Sequence, residues 1–148
     1  MSKRAKTREA LMKMLYQMEV QGDFSDEAKA AFESEYLAEG FDEAYFDGAF
    51  ASYICHNNEI DDLIEKYSKG WRIERIAKVD LSVLRLCIAE MLYLKNPAVP
   101  QAAAINEAVR IVKIYSGEDS GKFVNGILGR ISREEKSESG ESEGEKDA

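Results

Sequence analysis

The stretch IERIAKVDLSVLRLCIAEMLYL, residues 73–94, decides the fold. Its apolar residues recur at spacings of three and four and cover most of the circumference, which predicts a helix buried on nearly all sides. The residues that carry this pattern are Ile76, Val79, Leu84, Ile88, Met91 and Leu92. With 148 residues, of which 45% are apolar, the chain is long enough for one domain with a helical core around this stretch.

Amphipathic patterns on both sides of the central stretch predict further helices. Leu11, Leu15 and Met18 share one face of the first, which Gly22 ends. The predicted spans are 7–21, 26–39, 42–70, 73–94, 101–115 and 120–131. The sequence therefore predicts an all-α fold, a single compact domain of about six to seven helices.

The end of the chain has a different composition. Residues 133–148 consist almost wholly of Glu, Ser, Gly and Lys, with seven acidic residues against three basic ones. Such a segment has nothing apolar to bury, which predicts a disordered acidic tail after a domain at residues 1–132. The tail supplies half of the net charge of −8, and that net charge argues against strong indiscriminate nucleic-acid binding.

The chemistry that catalysis usually requires is missing from the sequence. His56 is the one histidine, and no Walker loop or dinucleotide-binding glycine motif occurs. Cys55 and Cys87 lack metal-ligand spacing and are expected to be buried, reduced thiols. We therefore expect a protein that is not an enzyme and that binds no metal and no cofactor.

The longest apolar run, residues 86–94, is interrupted by Glu90 and is about half of the roughly 20 residues that a membrane-spanning helix needs. No signal peptide precedes the first helix. These two features predict a cytoplasmic protein without a membrane partner.

Three segments resemble the NusB family, in the family's order and over nearly the whole predicted domain. They are KRAKTREALMKMLYQ (residues 3–17), VDLSVLRLCIAEM (79–91) and VPQAAAINEAVRIVKIYSGEDSGKFVNGILGRI (99–131). The chain departs from the family pattern in carrying two lysines in its basic start, in a blander stretch at residues 101–104, and in its acidic tail. The resemblance implies two packed helical bundles.

The resemblance also implies a function in transcription antitermination. NusB-like proteins bind the boxA element of ribosomal RNA transcripts as a heterodimer with the ribosomal protein NusE. The heterodimer joins other Nus factors on RNA polymerase. Two alternatives stay open: a homodimeric scaffold for protein interactions, and a detached RNA-binding module of the kind found in ribosomal RNA cytosine methyltransferases.

Candidate RNA-binding residues lie at both ends of the domain. Cations near the first helix can neutralise phosphates, and aromatic side chains can stack on unpaired bases. Tyr16 and Phe123 are the candidate stacking residues, with core packing as the alternative. Asp119 could contact the ligand or cap the last helix. The whole predicted set is Lys3, Arg4, Lys6, Arg8, Tyr16, Asp119, Lys122, Phe123 and Asn125.

A surface for NusE is expected near the central helix. Asp80 and Arg85 stand at charged positions of that helix, where the resemblance places the partner-binding region. Pairing of these residues with other side chains of the same domain is the alternative interpretation.

Overall fold

The computed structural model describes residues 2–37 and 40–147, and their side chains except those of residue 136 and residues 138–147. Seven α-helices lie within these ranges. They are α1 (Lys3–Gln21), α2 (Asp26–Tyr36), α3 (Glu43–Cys55), α4 (Asn57–Tyr67), α5 (Lys78–Ile88), α6 (Gln101–Ser116) and α7 (Glu118–Asp147). The predicted all-α fold is confirmed.

The first three helices begin at side chains that accept a hydrogen bond from the first helical turn. The hydroxyl of Ser2 accepts from the backbone N–H of Ala5, and the Ser25 hydroxyl accepts from Ala28. The Asp42 carboxylate accepts from the N–H of Tyr45 in the same way. These contacts satisfy N–H groups that have no partner inside a helix, so the local sequence fixes where each helix starts.

Helix α5 is the centre of the molecule. Every residue from Asp80 to Ile88 is buried, which confirms the prediction made from residues 73–94. Helices α1–α3 pack together on one side, helices α4–α7 on the other, and the two bundles meet mainly where α1 crosses α5. Aliphatic side chains from both bundles fill one continuous core.

The single long helix predicted over residues 42–70 was wrong. The chain breaks at His56, whose backbone (φ −124°, ψ 24°) separates α3 from α4. The imidazole stacks on the ring of Tyr93 with 3.8 Å between centroids, and the side-chain amide of Asn57 donates to the carbonyl of Ile54 at 2.7 Å. Both contacts stabilise the break, and periodicity cannot reveal it because the apolar spacing continues across it.

The segment predicted as one helix over residues 73–94 also has internal structure. A 3₁₀ turn at Ile73–Arg75 precedes α5, and a wider π-helical turn at Ala89–Tyr93 follows it. In the wider turn the N–H of Leu94 donates to the carbonyl of Ala89. This turn contains Glu90, whose carboxylate is buried against α1.

The last helix extends beyond its predicted end. The sequence predicts an end near Ile131, whereas α7 continues to Asp147. Glu and Lys are good helix formers, so the composition of this segment permits a helix even without apolar contacts. The predicted disorder of residues 133–148 concerns a segment whose side chains mostly lie outside the described residues, and it stays a prediction.

The two cysteines differ in burial. Cys87 is buried in α5 as expected, but Cys55 is exposed, so the prediction of a buried thiol was wrong there. The inward face of α3 is formed by Phe46, Phe50 and Tyr53. Cys55 follows Tyr53 by two residues, which places it about 200° around the helix and away from the core.

Replacing Leu84 with alanine should lower the free energy of unfolding by about 2–5 kcal/mol, because Leu84 is fully buried at the centre of α5 and its loss leaves a cavity. Urea unfolding followed by circular dichroism measures this. The control Ile114→Ala removes a side chain that is 60% exposed and should change stability by about 0.5 kcal/mol or less. Equal effects would contradict the central position of α5.

Candidate RNA interface

Two of the four predicted cations at the start of α1 are exposed and carry no ion pair among the described residues. These are Lys3 and Lys6. Arg4 is half-buried, and its guanidinium donates two hydrogen bonds to one carboxylate oxygen of Asp42, at 3.0 and 3.1 Å. Burial would raise the pKa of Asp42, but hydrogen bonds from the Tyr45 N–H and from Arg4 hold it below its ordinary value.

Arg8 does not belong to this exposed cluster. Its side chain is 6% exposed, and the guanidinium donates to both carboxylate oxygens of Glu90, with a shortest distance of 2.7 Å. Glu107 lies 3.9 Å away on the other side. A guanidinium held in this way is unavailable to a phosphate, so the assignment of Arg8 to the RNA-binding set is corrected to a structural role.

The ion pair between Arg8 and Glu90 is buried deeply enough to shift the pKa values of both groups. Burial raises the pKa of Glu90, and the hydrogen bonds from Arg8 oppose that rise. Burial would lower the pKa of Arg8, but the bond to Glu90 raises it above its ordinary value. Each charge therefore depends on the other, and removing Arg8 would leave a carboxylate that is 1% exposed without its partner.

Tyr16 and Lys6 lie in the same surface groove. The groove runs between α1 and α2, has a volume of about 640 Å³, and also contains Lys13 and Tyr36. Tyr16 is 41% exposed, in agreement with its position off the buried stripe of α1. Its ring is therefore accessible to a ligand, as the stacking role requires.

Lys122 and Phe123 lie in a second groove, of about 520 Å³, between α7 and the end of α4. Lys122 is exposed and Phe123 is half-buried, with its ring against the core. Asp119 and Asn125 are exposed on α7 but do not line either groove. Because α7 begins at Glu118, Asp119 lies inside the first helical turn and does not cap the helix.

The two grooves do not share a residue, so the structure brings the candidate residues together as two clusters. Beside the first groove, the end of α6 contacts α1: the Tyr115 hydroxyl donates to Glu9 at 3.0 Å, and the Lys13 ammonium lies 5.6 Å from the Tyr115 ring centroid. Sequence reasoning missed Trp71 and Arg130, which line the second groove. The signal that could have identified Trp71 is its position: a large aromatic residue in a predicted connection between helices, where no apolar helix face accounts for it.

The two residues predicted to bind a partner are buried. Arg85 donates to both oxygens of Asp61, at 3.0 Å each, and to Glu19 at 2.8 Å. Asp80 accepts a hydrogen bond from the Ser120 hydroxyl at 3.0 Å. The alternative interpretation, pairing within the domain, is the one observed, and the assignment of both residues to a partner surface is corrected.

Asp80 joins the start of α5 to the start of α7. Burial raises the pKa of its carboxyl group, and the hydrogen bond from Ser120 opposes part of that rise. The second carboxylate oxygen is buried without a hydrogen-bond partner in the described part of the chain. The hydrogen bonds to Asp80 therefore do not fully offset the cost of burying its charged carboxylate.

Residues 2–37 and 40–147 contain no group of three or more His, Cys, Asp or Glu side chains arranged to hold a metal ion. The helices described there are also too short or too polar to cross a membrane.

Comparison with known proteins identifies relatives over most of the chain. A sequence model of the NusB family matches residues 5–133. The transcription antitermination protein NusB of Acetivibrio thermocellus is 44% identical over 131 residues, which is 88% of each chain. NusB of Thermoanaerobacter sp. is 41% identical over 139 residues, covering 94% of this chain and 96% of the relative.

Solved structures agree with these sequence relatives. A crystal structure of antitermination factors NusB and NusE in complex with double-stranded RNA superposes with a TM-score of 0.78 at 30% identity, covering 88% of this chain and 96% of the other. NusB from T. maritima superposes with a TM-score of 0.75 at 37% identity, covering 88% and 91%.

Arg8→Ala should lower the free energy of unfolding by about 3–5 kcal/mol, because it leaves Glu90 charged and buried without a partner. Lys6→Ala, two residues away on the exposed face, should change it by about 0.5 kcal/mol or less. Chemical denaturation of both variants measures the difference. If Arg8→Ala left the free energy of unfolding unchanged, Arg8 would not have the structural role assigned to it and would again be a candidate RNA-binding residue.

Asp80→Asn should become more stable relative to the wild type as pH rises from about 4 to about 7. The raised pKa of Asp80 means that its contribution to stability is fully present below the ordinary pKa and is lost as pH rises through the raised pKa. Because asparagine does not titrate, the stability of the variant does not fall with the ionisation of this side chain. Urea unfolding of both proteins at the two pH values gives the difference, and a constant difference would contradict the raised pKa.

Proposed function

The chain belongs to the NusB family, and from this premise we propose that it is a transcription antitermination factor. We infer that it binds boxA-type single-stranded RNA in nascent ribosomal RNA transcripts together with the ribosomal protein NusE. The relatives named as antitermination proteins support this role, and the neighbour that contains NusB, NusE and RNA supports the partners. The assembly would then join other Nus factors on RNA polymerase.

The observation that carries the proposal is the set of exposed cations beside accessible aromatic rings. Lys3 and Lys6 have no ion-pair partner among the described residues, and Lys6 shares its groove with Tyr16. Lys122 shares the second groove with Phe123. Cations that are not used inside the domain can neutralise phosphates, and the neighbouring rings can stack on unpaired bases.

The proposed RNA-binding set differs from the one predicted from sequence alone. Lys3, Lys6, Tyr16, Lys122 and Phe123 remain its centre. Arg4 contributes after exchanging Asp42 for a phosphate, since its ion pair is partly exposed. Asp119 and Asn125 are exposed on α7 and remain candidate contacts beside Lys122. Arg8 is excluded because Glu90 holds it, and Asp80 and Arg85 are excluded from the partner surface because they are buried.

A homodimeric scaffold is the second candidate function. Tyr36 and Val20 are both more than half exposed in the groove between α1 and α2, and such apolar exposure is typical of a protein-binding surface. Sedimentation with and without NusE separates the two functions. A concentration-dependent dimer that ignores NusE and RNA would favour the scaffold.

Fluorescence anisotropy of a labelled boxA RNA and a scrambled control tests the proposed function. Binding should be selective for boxA, tighter with NusE, and should weaken with salt with a log-log slope near −2 to −3.5, as about three to five phosphate contacts on a single strand require. Equal binding to both RNAs, or no binding even with NusE, would overturn the proposal.

The double variant Lys3→Gln/Lys6→Gln removes two of the proposed contacts and should reduce that slope by about 1.4. Lys95→Gln is the matched control, since Lys95 is an exposed lysine outside both grooves. An unchanged slope in the double variant would exclude the start of α1 from the interface.

A further inference from the structure

We propose that the second groove is a nucleotide-binding subsite in which an unpaired base stacks on Trp71 while Lys69 and Arg130 contact the flanking phosphates. This inference rests on the proposed function, because it extends the same RNA-binding surface beyond Phe123. It adds residues from the end of α4 and the far side of α7 to the interface.

Aromatic rings form the walls of the groove. Tyr67, Trp71 and Phe123 all line it. Tyr67 and Phe123 are half-buried and pack against the core, whereas Trp71 is 53% exposed. A large aromatic ring that is half exposed in a groove is a surface on which an unpaired base can stack.

Three cations surround these rings. Lys69, Lys122 and Arg130 line the groove, and none of them forms an ion pair with a described residue. By contrast, Arg85 and Arg110, which lie elsewhere on the domain, are both bound to carboxylates. The described lining contains no carboxylate, so the groove is locally positive in a chain with a net charge of −8.

The turn that carries Trp71 is held in place by hydrogen bonds. The Ser68 hydroxyl donates to the carbonyl of Trp71 at 2.8 Å, and the backbone N–H of Ile73 donates to the Glu65 carboxylate at 2.9 Å. Lys69 has a φ of 59°, a left-handed conformation that is uncommon for residues other than glycine. The backbone of this turn is therefore held before a ligand binds, which lowers the entropy that the turn loses on binding.

Arg130 is also positioned before any ligand binds. Its guanidinium carbon lies 5.5 Å from the centroid of the Tyr67 ring, and the Lys66 ammonium lies 5.2 Å from the same centroid. Cation–π contacts orient the side chain without neutralising its charge. The guanidinium can therefore contact a phosphate while it remains on the ring.

The combination of these features favours a single-stranded nucleic acid over an acidic peptide. An acidic peptide would use the cations but would leave the Trp71 ring without a flat partner. A nucleotide uses both, since each unit joins one flat base to one negative charge. Under the proposed function, the single-stranded nucleic acid that reaches this groove is RNA.

Trp71 is the one tryptophan in the sequence, so its fluorescence reports on the subsite without any substitution. Titration of the full-length protein with unlabelled boxA RNA, and with an oligouridine of the same length, should quench this emission as anisotropy of the labelled RNA shows binding. A polyglutamate peptide is the competing ligand. Quenching by the peptide but not by RNA would overturn the proposal.

The variant Trp71→Ala should weaken RNA binding by about five-fold or more, and Trp71→Phe should retain most of the affinity, because stacking needs a ring but not an indole. Lys69→Gln and Arg130→Gln should each reduce the salt slope by about 0.7, while Lys95→Gln leaves it unchanged. Thermal unfolding measures whether each variant folds. The tryptophan fluorescence titration uses the wild-type protein, so it tests the subsite even if a variant fails to fold.

The outcomes separate this inference from the proposed function. If the wild type binds no RNA by anisotropy, the proposed function fails and the subsite fails with it. If the wild type binds RNA while Trp71 emission and the Trp71→Ala affinity stay unchanged, the subsite alone is wrong.

Discussion

The clamp between α1 and α5 is the interaction on which the rest of the structure depends. Arg8 extends from α1 to Glu90, in the turn after α5, and Arg85 extends from α5 back to Glu19 on α1. The two guanidinium groups thus cross the interface in opposite directions. Apolar packing alone tolerates sliding of one helix along another, whereas two buried, hydrogen-bonded charge pairs fix the register.

This clamp also determines which charges remain available at the surface. Arg8 and Arg85 form buried ion pairs inside the domain, and Arg4 forms a partly exposed ion pair with Asp42. Among the cations that remain exposed are Lys3 and Lys6 at the start of α1, and Lys69, Lys122 and Arg130 around the second groove. Internal pairing therefore decides which of the arginines near α1 and α5 are available to contact a phosphate.

The sequence predicted those parts of the fold that depend on apolar periodicity. Residues 73–94 identified the central helix, and the predicted start of a helix at Asp42 agrees with the observed capping by that residue. The break at His56 and the burial of Arg8 were not predictable in this way, because both depend on partners distant in sequence, Tyr93 and Glu90. The same limit applies to the candidate site: its exposed lysines were found from the sequence, but the position of Trp71 beside Lys122 and Phe123 depends on the packing of α4 against α7.

An acidic protein can bind RNA because phosphates respond to local potential rather than to net charge. Half of the net charge of −8 belongs to residues 133–148, and much of the remaining acidity is neutralised in internal ion pairs such as those of Glu90 and Asp61. At physiological ionic strength, charges separated by more than about 8 Å along the surface are largely screened from one another. The lysines at the start of α1 and those beside Trp71 therefore act on a nearby phosphate almost as they would on a neutral domain. The net negative charge opposes indiscriminate nucleic-acid binding over the rest of the surface, so under the proposed function RNA would bind where exposed cations lie beside the grooves.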